Sequence, residues 1–190
     1  MQSREIEFKT LLTPSEFQKV VAHYQLTPAS RKTQTNHYFD TPKGHLQEHH
    51  WGLRIRTYAN HGEQTLKVPA DAGGLWEITD ALSLAEADRL VKKGTIKASS
   101  NVATKLATIN VHPRDLRLLA SLKTARWEFA IPEGLLALDE SWYGSKHDYE
   151  LELEVSDPVL GQAAFYELLQ SLKLTYQPGE NKISRALKEK

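Results

Sequence analysis

Polar and apolar residues alternate with a period of two through most of the chain. In the opening segment, Glu5, Glu7 and Lys9 fall on one side of an extended backbone, and isoleucine and phenylalanine fall on the other. This is the period of a β-strand, whose successive side chains point to opposite faces of a sheet. The recurring pattern predicts eight strands, at residues 2–12, 31–39, 51–59, 63–69, 75–80, 116–131, 135–143 and 147–155.

Helix signals lie between some of these strands and after the last one. Residues 13–16, Thr-Pro-Ser-Glu, combine an N-cap, a proline at the first helical position and a capping-box glutamate, and they predict a helix that runs toward Tyr24. Ser83 and Glu86 form a second capping box, and its helix should end at Gly94. Further helices are predicted at residues 101–110, at residues 157–172 and from residue 181 onward.

Short turn sequences join most of the predicted strands, for example Asn60-His61-Gly62 and Pro132-Glu133-Gly134. Such short connections favour antiparallel pairing, and eight antiparallel strands are enough to close a barrel without exposed edges. One face of these strands is charged and the other is apolar, so amphipathic helices are expected to cover the apolar face from outside. The sequence therefore predicts an α+β fold, an eight-stranded antiparallel β-barrel covered by helices, with a charged lumen.

Composition limits what this barrel can do. The 190 residues, 40% of them hydrophobic, suit one domain spanning residues 1–190. The 24 lysines and arginines balance 24 acidic residues, so no net charge attracts nucleic acid or an anionic membrane, and any anion must meet a local cluster. Without cysteine there are no disulfides, thiolate metal sites or cysteine nucleophiles. No apolar run is long enough to span a membrane, and we expect a cytoplasmic monomer or homodimer.

Three glutamates, Glu150, Glu152 and Glu154, stand in one row of the last predicted strand, with neighbours about 7 Å apart. Negative charges at this short separation repel one another unless a cation compensates them. Mg²⁺ and Mn²⁺ prefer carboxylate oxygens together with phosphate oxygens and water. Basic residues that can bind phosphate alternate along other strands, at Lys9, Arg54, Arg56 and Lys67. Acidic and basic rows in one lumen predict a metal-phosphate site.

The same charges have a simpler interpretation as solvated outer faces with cross-strand Glu–Lys pairs. For any single strand this interpretation is favoured, because half-exposed antiparallel strands are common. It weakens for the whole set, since Glu-x-Glu-x-Lys, Arg-x-Arg and the row of three glutamates lie on separate strands.

Residues 5–9, Glu-Ile-Glu-Phe-Lys, resemble the Glu-x-Glu-x-Lys signature of the CYTH domain. This is the triphosphate tunnel metalloenzyme family, which includes thiamine triphosphatases, inorganic triphosphatases and class IV adenylate cyclases. The resemblance extends along the chain, and the ordered series is more specific than its opening. It continues through Tyr38-Phe39-Asp40-Thr41-Pro42, Leu53-Arg54-Ile55-Arg56, Leu66-Lys67, Glu77, Arg126, Asp139, the Glu150–Glu154 row and Lys182-Ile183-Ser184-Arg185.

The resemblance implies two groups of site residues. The metal ligands, for Mg²⁺ or Mn²⁺, would be Glu5, Glu7, Glu77, Asp139, Glu150, Glu152 and Glu154. The phosphate ligands would be Lys9, Arg54, Arg56, Lys67, Arg126, Lys182 and Arg185. The carboxylates expected to be catalytic are Glu5, Glu7, Glu152 and Glu154, because a final Glu-x-Glu followed by an apolar residue fits Glu152 and Glu154 best. Glu150 is the alternative register.

Some of these assignments stay open. Asp139 is equally compatible with a turn or strand-edge carboxylate. Arg185 follows Lys182 by three residues, so the two can face the tunnel together or Arg185 can pair on the surface. Thr124 stands where family members often carry a basic residue, and Lys123 has the opposite strand parity, which argues against Lys123 as a ligand.

A rival motif is His45-Leu46-Gln47-Glu48-His49, which matches the H-x-x-E-H pattern of zinc hydrolases. That pattern needs a sustained helix, but the turn at residues 40–44 and a strand beginning near Trp51 leave barely two turns. No acidic helix follows to supply a third ligand, so exposed histidines are favoured. Phosphate-binding glycine loops and nucleophile elbows are absent, and the tryptophans are expected to pack against the barrel.

The leading functional hypothesis is a divalent-metal-dependent triphosphatase that acts on inorganic triphosphate or a small organic triphosphate. Two alternatives remain open at this point. One is an adenylate cyclase, which converts ATP to cyclic AMP and diphosphate, and the other is a triphosphate-binding module without turnover. All three hypotheses imply that the partner is a small triphosphate compound, and none of them involves nucleic acid or a membrane.

Overall fold

The computed structural model of the chain describes residues 2–71 and 73–188. The strands are β1 (Gln2–Glu5), β2 (Glu7–Leu12), β3 (Lys32–Asp40), β4 (Gly52–Thr57), β5 (His61–Pro69), β6 (Leu75–Ser83), β7 (Arg117–Ile131), β8 (Gly134–Tyr143) and β9 (Lys146–Glu154). The α-helices are α1 (Pro14–His23), α2 (His45–Glu48), α3 (Leu84–Lys93), α4 (Asn101–Ala107), α5 (Pro158–Ser171) and α6 (Lys182–Lys188). In the described ranges, every helix is too short or too polar to cross a membrane.

The sheet is closed by its N-terminal segment. All the strands pair antiparallel in the order β1-β6-β5-β4-β3-β7-β8-β9-β2. β1 and β2 occupy the two ends of this order, yet only Ile6 separates them in the chain. Ile6 is buried, and its carbonyl oxygen accepts a hydrogen bond of 2.9 Å from the backbone N–H of Val155. Because one segment pairs with both ends, the sheet forms a barrel.

The predicted fold class is therefore confirmed, with one difference in strand count. The first predicted strand, residues 2–12, divides at Ile6 into two strands, since the backbone there changes its partner from β6 to β9. The predicted strand at residues 75–80 extends to Ser83, and the predicted helix at residues 101–110 ends at Ala107.

The apolar face of the barrel points outward, and helices cover it in two places. Under α2, α3 and α4, residues such as Leu90 and Leu106 pack on Leu53, Ile55 and Leu66 of the sheet. Under α1 and α5 a second core forms, in which the helix residues Phe17, Val20 and Phe165 pack on the sheet residues Leu138, Leu151 and Leu153. These buried side chains contribute roughly 1.5–3 kcal/mol each. The two large hydrophobic cores thus lie outside the barrel.

Helix α6 lies against the inner face of the sheet. Its Ile183 and Ala186 belong to a small apolar cluster with Tyr38, Leu122 and Tyr143. Tyr38 is directly opposite Arg54 in the sheet, so this cluster shares a face with the predicted phosphate ligands. The packing directs the charged residues of α6 toward the lumen.

Helix α5 comes close to the sheet at Gly161, where an added Cβ would lie 2.8 Å from Cβ of Val155. Alanine gains about 1 kcal/mol of helix propensity over glycine, whereas overpacking costs about 1–3 kcal/mol. We expect Gly161→Ala to lower the free energy of unfolding, measured in urea. The exposed neighbour Gln162 is the control, and Gln162→Ala should leave stability unchanged or slightly raised. Stabilisation by Gly161→Ala would contradict this close packing.

Candidate functional site

The strand register places the predicted charged residues on the inner face of the barrel. Directly opposed residues of antiparallel strands share a face. The opposed pairs are Glu7 with Glu154, Lys9 with Glu152, Glu150 with Asp139, Asp139 with Arg126, Lys67 with Glu77 and Arg56 with Glu63. These rows therefore share one face of the sheet, opposite the face that the helices cover, and they are not separate solvated outer faces.

Four carboxylates, Glu5, Glu7, Glu77 and Glu154, form what we call the glutamate cluster. Burial raises the pKa of Glu5 and of Glu154, and the charges of Glu77 and Glu7 raise both further, although Lys67 acts against the rise. Burial also acts on Glu77, but Lys67 and Arg54 outweigh it and lower the pKa of that group.

Two lysines compensate part of this negative charge. Lys67 donates to Glu5 and, at 3.1 Å, to Glu77, and Lys9 donates to Glu7 at 2.7 Å. Glu154 makes no ion pair with any residue that the structure describes. The cluster thus keeps an excess of carboxylate oxygens, which are the ligands that Mg²⁺ and Mn²⁺ prefer.

A second group, Asp139, Glu150 and Glu152, lies deeper, and we call it the buried carboxylates. One oxygen of each lies within 4.8 Å of the others, and the side chains are 0%, 1% and 9% exposed. Lys182 contacts all three, at 2.9 Å from Asp139 Oδ2. Arg126 donates two hydrogen bonds of 2.7 Å to Asp139 and a further one to Glu152. The charges of the buried carboxylates are therefore compensated by basic side chains of the protein itself.

These ion pairs separate the pKa values of the buried carboxylates. Burial acts to raise all of them, but Lys182 and Arg126 hold the pKa of Glu152 well below its usual range. Arg126 and Lys182 lower the pKa of Asp139 in the same way. For Glu150, burial and the adjacent charge of Glu152 prevail over Lys182 and raise the pKa to about 7.

Arg54 and Arg56 differ in how they are held. Arg56 donates from Nε to Asn36 Oδ1 at 2.8 Å and from NH1 to the hydroxyl of Tyr58 at 3.3 Å, and it lies 3.5 Å from Glu63. Arg54 is 15% exposed, its ion pair with Glu77 is long at 3.6 Å, and its buried Nε has no hydrogen-bond partner in the described structure. Burial and the charge of Arg56 lower the pKa of Arg54. A guanidinium in this state favours an incoming anion.

The assignments that the sequence left open have definite positions. Asp139 is a strand residue paired with Arg126, not a turn carboxylate. Arg185 faces the lumen side of α6 and reaches Glu150. Lys123 lies 5.9 Å over the ring of Trp142 and Thr124 is buried inside, as strand parity predicts.

Sequence reasoning missed four polar residues that line or support the site. They are Asn36, Tyr58, Glu63 and Asp148. Three of them share the strand parity of a predicted residue, since Tyr58 matches Arg56, Glu63 matches Lys67 and Asp148 matches Glu150, whereas no site residue was predicted on the strand of Asn36. Extending the period of two along these strands would have found Tyr58, Glu63 and Asp148.

The zinc motif does not form a zinc site. Helix α2 spans only His45–Glu48, and Nδ1 of His49 lies 2.7 Å from the carbonyl oxygen of His45. Within residues 2–71 and 73–188, one group of side chains is close enough to share a metal, and it consists of the buried carboxylates. No histidine of the motif belongs to it. The expected exposure of His45 and His49 is only partly confirmed, because His45 is half-buried and His49 is exposed.

The tryptophans only partly follow the packing prediction. Trp127 is buried in the core under α1 and α5, and Trp51 packs against the core under α3. Trp76 is 38% exposed, so the prediction is wrong there. Trp142 is half-buried and stacks on His147.

Comparisons with known proteins agree with this geometry. The family model of the CYTH domain matches residues 3–187. YjbK of Bacillus subtilis (strain 168), named as a candidate triphosphatase, is 38% identical over 100% of this chain and 97% of its own length. The crystal structure of a candidate adenylate cyclase from Bacillus halodurans is 33% identical with a TM-score of 0.90, covering 97% of both chains. HpAC1 from Hippeastrum, a candidate adenylyl cyclase with a dominant triphosphatase activity, is 22% identical with a TM-score of 0.78, covering 98% of this chain and 96% of its own. On the strength of the family match and these similarities, the chain belongs to the CYTH domain family.

Proposed function

We propose that the protein is a divalent-metal-dependent triphosphatase that hydrolyses inorganic triphosphate or a small organic triphosphate inside the barrel. The observation that carries this proposal is the placement of two incompletely compensated groups on one inner face. The glutamate cluster has excess negative charge, and Arg54 is a buried cation whose Nε has no hydrogen-bond partner among the described residues and whose ion pair with Glu77 is long. A metal-triphosphate complex has the charges that would satisfy both.

The glutamate cluster offers the carboxylate oxygens that a hard divalent cation prefers, and its side chains would have to draw together around the cation, since among the described residues only the buried carboxylates lie within 4.8 Å of one another. Glu5, Glu7 and Glu154 offer carboxylate oxygens with raised pKa values at Glu5 and Glu154, which a cation would lower. Asp139, Glu150 and Glu152 have suitable oxygens too, but they are paired with protein cations. A bound Mg²⁺ or Mn²⁺ would supply Lewis-acid stabilisation of phosphate oxygens.

The basic residues would hold the phosphates and neutralise the charge that develops during hydrolysis. Arg54 and Arg56 present guanidinium groups suited to bidentate contacts with phosphate oxygens. Their side chains are 15% and 13% exposed, and removal from bulk water strengthens such contacts. Charge stabilisation of the leaving group, without a covalent protein nucleophile, is the catalytic contribution that this lumen supports.

The similarities support two reactions, and the lumen favours one of them. YjbK carries the name of a candidate triphosphatase, whereas the Bacillus halodurans protein carries that of a candidate adenylate cyclase. Cyclisation of ATP requires a bound adenosine. The inner-face rings of Tyr38 and Tyr143 are 4% and 8% exposed and covered by α6, and the half-buried ring of Tyr58 already stacks on His61 at 4.3 Å, so none of these three rings is an open platform for adenine. This arrangement favours hydrolysis, with cyclisation as the second candidate.

Product analysis with inorganic triphosphate, thiamine triphosphate and ATP tests the proposal. We expect release of orthophosphate that requires Mg²⁺ or Mn²⁺, because the clustered carboxylates should bind a hard cation. Full turnover in excess chelator would contradict the metal dependence. Cyclic AMP with diphosphate from ATP would identify a cyclase, and tight binding without products would identify a binding module.

Removal of each arginine should weaken triphosphate binding, with different effects on stability. A lost charge-assisted contact is worth about 1.5–3 kcal/mol, so the dissociation constant should rise roughly 10- to 100-fold in Arg54→Ala and in Arg56→Ala. Arg54→Ala should keep its melting temperature, whereas Arg56→Ala should melt lower because Asn36 and Glu63 lose their partner. Calorimetric titration beside thermal unfolding measures both quantities. Lower stability of Arg54→Ala with unchanged affinity would make that arginine structural.

The three glutamates of β9 should respond differently to replacement by glutamine. Glu154→Gln should reduce activity by at least about tenfold without loss of stability, since Glu154 has no ion pair to lose with any described residue. Glu152→Gln should reduce both activity and stability, because it breaks contacts with Lys182 and Arg126. Glu150→Gln should have the mildest effect on activity. Activity as a function of metal concentration, with melting temperatures, checks all three, and near-native activity throughout would remove this row from the site.

A further inference from the structure

Helix α6 is tied to the barrel by an ion pair outside the two carboxylate groups. Asp148 lies on β9, two residues before Glu150 on the same face. Its Oδ2 accepts a bond of 2.6 Å from NH1 of Arg185, and the hydroxyl of Tyr143 donates to the same oxygen. Arg185 extends its NH2 to Glu150. A chain of contacts thus runs from Tyr143 and Asp148 through Arg185 to the buried carboxylates.

This tie is important because α6 has few other attachments that are independent of the site. The helix has seven residues, and a helix that short is not stable alone in water. Lys182 bonds only to Asp139, Glu150 and Glu152 in the described structure, and these bonds would have to break for Lys182 to reach a phosphate. When the contacts of Lys182 change, two attachments still hold the helix. They are the small apolar cluster around Ile183 and the Asp148–Arg185 pair.

We propose that Asp148 is a positioning residue for substrate binding, which with Tyr143 orients Arg185 and holds α6 so that Lys182 reaches a phosphate in the lumen. The inference rests on the proposed function together with the phosphate-binding roles that the family resemblance implies for Lys182 and Arg185. Asp148 and Arg185 are 22% and 9% exposed, so their pair is less screened than a surface pair.

The same helix supplies a matched control. Lys188 pairs with Glu180, just before α6, and these side chains are 65% and 52% exposed. An exposed pair of this kind contributes little to stability. Glu180→Gln removes an ion pair from the same helix while leaving Asp148, Arg185 and Lys182 intact.

Steady-state kinetics with inorganic triphosphate and Mg²⁺ test the proposal. We expect Asp148→Ala to raise KM about tenfold with kcat within about twofold of the wild type, because binding is impaired while the reacting groups are unchanged. Asp148→Asn, which keeps an acceptor but not the charge, and Tyr143→Phe, which keeps the charge, should show smaller increases. Asp148→Glu should recover part of the affinity, and Glu180→Gln should match the wild type.

Trypsin provides a readout that does not depend on turnover. Cleavage after Lys182 or Arg185 requires α6 to leave the barrel, so its rate reports the population of the undocked helix. Asp148→Ala should be cut about tenfold faster at these two bonds than the wild type. Melting temperatures of all variants show whether the barrel itself stays folded.

Unchanged KM and unchanged cleavage in Asp148→Ala would overturn the proposal, as would a loss of kcat with unchanged KM. Equal effects of Asp148→Ala and Glu180→Gln would also overturn it, because a general weakening of α6 would then suffice. If the wild type hydrolyses no triphosphate, the proposed function fails separately. The cleavage rates then decide the positioning role, with faster cleavage of Asp148→Ala supporting it and equal rates overturning it.

Discussion

The change of hydrogen-bonding partner at Ile6 determines how the rest of the barrel is arranged. Residues before Ile6 pair with β6 and residues after it pair with β9, so one short segment connects strands that would otherwise be the two open edges of the sheet. This connection also brings Glu5 and Glu7 to the strands that carry Glu77 and Glu154. The glutamate cluster exists because the barrel closes at this point.

Closure encloses charges, and the two carboxylate groups differ in how the enclosed charge is balanced. Around Asp139, Glu150 and Glu152, three cations on β7 and α6 satisfy the carboxylates, and the pKa of Glu152 is held well below its usual range by Lys182 and Arg126, which outweigh burial. Around Glu154, burial and neighbouring glutamates raise the pKa instead. Removing a carboxylate from water without a partner is unfavourable. The glutamate cluster therefore favours a cation from solution more strongly than the buried carboxylates do.

The period of two in the sequence predicted much of this arrangement, because parity decides which residues share a strand face. It placed Lys9 with Glu5 and Glu7, and it separated Thr124 from Lys123, as the structure has them. It could not predict the division at Ile6, since both halves of the segment alternate in the same way and only long-range pairing distinguishes them. The contacts of Lys182 were equally inaccessible, because they depend on where α6 docks, and that docking involves long-range contacts with Tyr38, Leu122 and Asp148. Asp148 and Glu63 were within reach of parity alone, but isolated charges on strands usually face solvent.

The apolar residues that form the two large cores and the charged residues that line the lumen lie on opposite faces of the same strands. Buried ion pairs are a weak source of stability, because desolvation offsets most of their attraction. Leu138 and Leu151 point outward from strands whose inner side carries Asp139 and Glu150, and α5 and α1 bury them. Since the hydrophobic cores lie outside, charged groups can be arranged inside without weakening those cores. Residues of the inner face can therefore diverge in charge while the fold persists, and the chemistry of the lumen has to be inferred from its own side chains, because the fold alone does not specify it.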